Sequence, residues 1–218
     1  MKSHYPDYIS ALTRVEKTRT LLISGSPQTA GQILKKGYVF AVLSIRTGLE
    51  RHERSFTKWV SGADIREAAT GTVYGNQKGN WMNSTIKNTD WKLLGEAAQC
   101  HLREGRVEKL LESVVSDLKG VSHRKGAFML AMSGVRELIC IDSNVAQFAG
   151  LTDEVGNALS FTSAEEYLTT SDSVLDLIPN PLNLPPFLLQ WVVYDWQRGE
   201  HARHAAFYRE VLPEYLSG

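Results

Sequence analysis

Cysteine is scarce in this 218-residue chain: Cys100 and Cys140 are the two, far apart in sequence. Their separation fits no zinc or iron–sulfur spacing, and such thiols are usually small buried hydrophobes in a reducing compartment. No protein metal site is therefore expected. An excess of charge of one sign is also missing. Lys and Arg number 24 against 24 Asp and Glu, a formal net charge of zero. A broad basic coat is excluded, so nucleic-acid binding would have to use a local patch. No apolar run approaches the roughly 18–20 residues that span a bilayer, and the polar start MKSHYPDYIS is no signal peptide. The expectation is a cytoplasmic protein (host cytoplasm, were the source viral) with no membrane partner. Internal repeats and low-complexity tracts are absent too.

What is present is an ordinary globular composition, 43% hydrophobic and 22% charged, with length for one good core or two small lobes. The pattern is nearly all helical. Residues 8–22 predict a first helix with Ile9, Leu12, Val15 and Leu21 facing inward, and SGSPQTAG (24–31) reads as a loop. YVFAVLSIRT (38–47) predicts a buried helix that turns into the amphipathic GLERHERSFTKWV. The stretch 71–91, GTVYGNQKGNWMNSTIKNTDW, mixes glycine, asparagine and aromatics without period, and reads as a loop or irregular insertion.

RVEKLLESVVSDL (106–118) then sets Val107, Leu110, Leu111, Val114, Val115 and Leu118 on one helical stripe, which Lys119-Gly120 stops. In GAFMLAMSG, the small residues Gly126, Ala127, Ala131 and Ser133 leave room for a neighbouring helix backbone. ELICI is β-like in content but short, and Asp142 is a natural N-cap for SNVAQFAG. Ser163 and Glu166 form a capping box, and IPNPLNLPP is a rigid connector. PFLLQWVVYDWQRGEHARHAAFYREVL predicts two closing helices, its Arg- and His-rich part covering the core.

A helix, a short hairpin of form L-x-G-V-x-x-[KR], a second helix and an apolar run ending in Asp follow one another in LKGVSHRKGA and CIDSNV. This arrangement resembles the helix-hairpin-helix (HhH-GPD) DNA glycosylase superfamily, whose hairpin typically reads L-P-G-V-G-x-K-x-A. Arg124 and Asp142 lie 18 positions apart, the family's usual distance from catalytic lysine to catalytic aspartate. AVLSIRTGLERHERSF resembles the early family helix L-L-S-x-Q-T, and QWVVYDWQRGE the closing helix of several members. Lys119, Ser122 and Arg124 depart from the family's proline, second glycine and nucleophilic lysine. Lys125 comes one residue late, about 100° around a helix, and does not inherit the nucleophile's role unless the hairpin is re-registered.

The resemblance implies an all-α, two-lobed glycosylase-like fold in one domain over 1–218. Its hairpin lobe would cover about 36–147, and the other lobe 1–35 and 148–218. It also implies a monomer on double-stranded DNA, anchored through Gly120, Val121, Ser122, His123, Arg124, Lys125, Arg46 and Arg51. No cofactor is called for, apart from the option of a monovalent cation at the hairpin. Asp142 would stabilise charge at the sugar C1′ or activate a nucleophile, and Trp81 would line the pocket of a flipped base, while Trp91, Trp191 and Trp196 belong to the core. Arginine stays protonated, so Arg124 cannot form a Schiff base, and the implied enzyme is a monofunctional N-glycosylase unless Lys125 reaches C1′. Two alternatives stand beside it. One is a bacteriophage-type DNA hypermodification transferase, joining a free amino acid to an activated 5-methyl pyrimidine such as 5-phosphomethyluracil. In that enzyme Arg124 and Lys125 would hold the leaving phosphate. The other is a binding module that has lost catalysis.

Overall fold

The computed structural model describes residues 5–152, 160–199 and 206–218. Among them the regular structure is all helix: α1 (Tyr5–Ser24), α2 (Pro27–Leu43), α3 (Leu49–Val60), α4 (Ile65–Ala69), α5 (Gly75–Asn88), α6 (Trp91–Arg103), α7 (Val107–Asp117), α8 (His123–Met132), α9 (Ser143–Phe148), α10 (Ala164–Leu177), α11 (Pro186–Arg198), a π-helical turn (Phe207–Val211) and α12 (Leu212–Ser217). No helix among the described residues is long and apolar enough to cross a membrane.

The centre is α2. Its run Tyr38–Leu43 is completely buried, and it packs against α1, α3, α5, α6, α8 and α12. A helix covered on all sides must be apolar all round, which is why this segment shows a run rather than a stripe. It begins earlier than the sequence suggests. Ser26 caps its start by accepting from Thr29 N, and Pro27 opens the first turn, so most of the expected loop 24–31 is helix. It also runs unbroken through residue 36. On α1 the buried face is Tyr8, Ala11, Val15, Thr18 and Leu22, whereas Ile9 is exposed. Val15 stands as expected and Leu12 and Leu21 are partly buried against the core, but Tyr8, Ala11, Thr18 and Leu22 carry most of the contact.

One further expectation changes. Residues 71–91 are not irregular, since α5 occupies most of them. Its buried positions, Lys78, Gly79, Met82 and Thr85, keep a helical spacing, yet only methionine among them is a large apolar residue. Gly79 lets α5 lie against α4, for a Cβ there would sit 3.1 Å from Arg66 Cα. ELICI makes no strand. Leu138–Ile141 is a buried single extended segment whose polar backbone is satisfied by side chains: Gln190 Oε1 accepts from Cys140 N at 2.7 Å. The Tyr167 hydroxyl accepts from Ile141 N at 3.0 Å and donates to Ile139 O at 2.8 Å. This segment delivers Asp142 to the start of α9.

The closing stretch gives α11, then the π turn and α12. The Arg- and His-rich residues 200–205 lie outside the described residues. A single contiguous core joins these elements, from Tyr8 on α1 to Leu216 on α12.

Candidate active site

α7 ends at Asp117, and the chain turns through Lys119 and Gly120 before α8 starts at His123. Gly120 adopts φ +79°, which disfavours any residue with a Cβ, and its Cα faces the Trp81 ring. Tyr38 donates to Lys119 O at 3.0 Å, and Lys119 Nζ donates to Ser84 Oγ at 3.2 Å. The hairpin is thus held from behind by α2 and α5. Ser122 makes no side-chain cap, so the first-turn N–H groups of α8 have neither an intrahelical partner nor a cap from that side chain.

In front of the hairpin lies a cavity of about 650 Å³. Its walls come from the turn after α2 (Ser44–Gly48), from α8 and from α11, with Asp142 and Asn144 at the start of α9. Arg46, Arg124, Lys125 and Arg198 all line it, against the one carboxylate of Asp142. A formally neutral protein therefore concentrates positive charge here. A larger groove, about 820 Å³, lies by Trp59, Tyr215 and Lys36, but its one carboxylate, Glu214, is paired with Arg14.

Lys125 reaches into the pocket despite the one-residue offset. Its Nζ donates to Ser44 Oγ at 2.8 Å and lies 5.1 Å from the Phe128 ring centroid. Burial lowers its pKa; Arg124 adds to the fall, while Cys140 and Asp142 oppose it. Arg124 lines the same pocket, so the structure brings both cations to one place. Asp142 caps α9 with Oδ1, accepting from Asn144 N and Val145 N at 2.9 Å each. Burial raises its pKa, against the pull of those N–H groups, the Asn144 side chain and Lys125. Cys140 also lines the pocket; burial pushes its thiol up to about 12, which keeps it neutral.

The other expected DNA-contacting and pocket residues divide. Gly120, Ser122 and Arg46 line the cavity; Arg46 sits at φ 50° and donates to the Tyr74 hydroxyl at 3.2 Å. Arg51 is exposed on α3 outside the lining, because the neighbouring position, His52, takes the inward face. Val121 is buried in the core, leaving its backbone to the hairpin. His123 turns inward: its Nδ1 donates to Phe161 O at 3.1 Å, and its ring lies 3.6 Å from Glu112. A carbonyl accepts only, so Nδ1 carries the proton. That side chain ties α8 to the segment before α10. Trp81 packs behind Gly120, where it supports the hairpin, and does not line the cavity.

Sequence reasoning missed several pocket residues. Trp191, Tyr194 and Arg198 come from one face of α11 at helical spacing. Trp191 stacks on Tyr208 at 5.0 Å between centroids, and the Arg198 guanidinium lies 5.2 Å from the Tyr194 ring centroid. Buried His52 donates from Nε2 to Phe40 O (2.7 Å) and accepts at Nδ1 from the Tyr208 hydroxyl (2.8 Å). Burial drives its pKa down to about 3, so it is a neutral wall. Lys78 was missed as well. It is buried, and its Nζ donates to Leu43 O (3.0 Å), Ile45 O (2.5 Å) and Thr47 Oγ1 (2.7 Å). Among the described residues no three His, Cys, Asp or Glu side chains gather as a metal site.

No family model matches the sequence, and no curated protein matches it either. Among solved structures, the 8-oxoguanine DNA glycosylase of Thermotoga maritima is similar, with a TM-score of 0.63 over 91% of this chain and 92% of that one. The two sequences are 17% identical, so the likeness is one of fold. The chain has the all-helical fold of that DNA glycosylase, and α7, the turn through Gly120 and α8 stand as the helix, hairpin and helix that the sequence predicts.

Proposed function

We propose that the protein is a DNA N-glycosylase with strand-cleaving activity, acting on a damaged base flipped from the duplex into this pocket. The observation that carries the reading is the meeting of the Lys125 amine and the Asp142 carboxylate in one cavity in front of the hairpin. The uncapped start of α8 and the pocket cations supply a phosphate anchor without a basic coat. The fold it shares with a glycosylase named for 8-oxoguanine makes that base the first substrate to test.

The chemistry follows from the two groups. The Lys125 amine attacks C1′; the N-glycosidic bond breaks and the base leaves with its electron pair, taking a proton from solvent or a pocket donor. The attacking nitrogen passes its extra proton to Asp142, whose raised pKa suits it as an acceptor. The C1′–O4′ bond then opens to an imine, with O4′ leaving as a hydroxyl. Loss of a C2′ proton expels the 3′ phosphate, and water releases the lysine. Lys125, not Arg124, supplies the nucleophile in this reading, and the enzyme is bifunctional.

The test is borohydride trapping on duplexes containing 8-oxoguanine or an abasic site, with the intact mass of protein and DNA recorded. A covalent adduct is expected for the wild type and for Arg124→Ala, and none for Lys125→Ala. An adduct that survives in Lys125→Ala overturns the assignment. A DNA mass gain with free amino acid on 5-phosphomethyluracil would move it to the transferase.

A further inference from the structure

Lys78 is the buried cation that the mechanism above does not use. Its three short bonds end on oxygens of residues 43, 45 and 47, the turn that leaves the C-terminus of α2. Carbonyls at that end of a helix carry partial negative charge and lack intrahelical donors. An ammonium that donates to three oxygens there satisfies each of its own protons. Between the first two acceptors sits Ser44. Its hydroxyl donates to Ala41 O at 2.7 Å, so toward Lys125 it acts as an acceptor. Lys78 and Lys125 thus both donate to the same turn, Lys78 to two carbonyls and the Thr47 hydroxyl, and Lys125 to the Ser44 hydroxyl.

We propose that Lys78 is a positioning residue for Lys125, fixing the Ser44 turn against its amine and holding a positive charge behind that turn that favours the free amine. This rests on the reading of Lys125 as the nucleophile. A lysine beside another cation, in a site poor in water, loses its proton more readily. Burial and then Lys125 bring the Lys78 pKa to about 8, and repulsion between two like charges acts on both partners. At neutral pH Lys78 therefore remains mostly charged. The other groups around the pair do not replace it. Asp142 favours the charged lysine and Arg124 opposes it; Arg46, on the turn itself, donates to the Tyr74 hydroxyl, and Arg198 lines the pocket from α11. His52, Cys140, Tyr194 and Tyr208 are neutral at that pH, each held so by burial.

The experiment is the pH dependence of borohydride trapping to abasic-site DNA, comparing wild type, Lys125→Ala and Lys78→Met. The expected result is a midpoint about one pH unit higher in Lys78→Met, hence about tenfold slower trapping near pH 7, with the wild-type plateau regained at high pH. A uniform loss at every pH, or an unchanged profile, overturns the proposal while leaving the Lys125 reading intact. If the wild type forms no adduct, or Lys125→Ala still does, the nucleophile assignment falls instead. In that event, or if Lys78→Met does not fold, NMR titration of the wild type labelled at lysine 13Cε decides. Lys125 losing its proton before Lys78 upholds the electrostatic pairing, and the reverse order overturns it.

Discussion

Residues 118–147 and residues 71–91 face each other across the hairpin, and they teach opposite lessons about where a site is written. The first segment holds the groups that touch the cavity: Gly120, Ser122, Arg124, Lys125 and Asp142. The second, mostly α5, holds the back of that site: Trp81 against Gly120, Ser84 under Lys119, and Lys78 on the turn after α2. Chemistry constrains residue type tightly in the first, which is why it can be read as a motif. In the second, geometry is the constraint. A lysine, a glycine and a threonine do there what leucines usually do, so hydropathy carries no trace of the helix.

The comparison breaks most visibly at Asp142. Asn caps a helix about as well as Asp, so Asp142→Asn keeps Oδ1 in its bonds to Asn144 N and Val145 N. Base release should nevertheless fall by about 100- to 10,000-fold, the usual span for removing a positioned acid or base. Stability in urea should move by less than about 0.5 kcal/mol. Equal turnover in the two proteins would reduce Asp142 to a cap, and no turnover in either, with duplex affinity kept, would make the chain a binding module.

The legible part of the molecule was the part with either strong period or special chemistry. The stripe on α7, the cap at Asp142 and the Ser163–Glu166 box all stand as read, because each is a local arrangement of side chains and N–H groups. The helix-hairpin-helix was equally plain. What stayed hidden needed partners distant in sequence. ELICI looks like a strand, but its edge groups are met by Gln190 and Tyr167 from two other helices. His123 looks like a turn residue near phosphate until Phe161 and Glu112 are seen behind it. The offset of Lys125 argued against a nucleophile only on the assumption that Arg124 holds the family position. Ser44 and Phe128, which receive the amine, could not be placed from spacing alone.

If α5 is a packed helix and not an insertion, its one large apolar buried residue should matter as a core residue does. Met82 is fully buried, and Met82→Ala is expected to cost about 2–5 kcal/mol through lost burial and a residual cavity. Exposed Leu93, in the next helix, serves as the control, with an expected change within about 0.5 kcal/mol. Chemical denaturation of both variants checks this. A near-neutral Met82→Ala would return 71–91 to the status of a loop and remove the support argued for the hairpin.

The smallest effect lies at the junction of the two regions. Gly120→Ala places a Cβ at φ +79° and 2.6 Å from Trp81 Cε3, so it meets two separate penalties. The backbone penalty alone is roughly 1–2 kcal/mol, since an L residue in the left-handed region crowds its own carbonyl. The contact penalty depends on Trp81 and should vanish when the ring does. In a double-mutant cycle, Gly120→Ala in a Trp81→Ala background should keep the backbone part and lose the rest, a coupling of about 0.5 kcal/mol or more. The same cycle read by duplex-DNA affinity carries the functional half of the argument. Binding should fall with Gly120→Ala and recover in part in the double variant, because the ring then no longer forces the hairpin backbone out of place. Identical penalties in both backgrounds would mean that α5 does not brace the hairpin, and that the two regions are neighbours without being coupled.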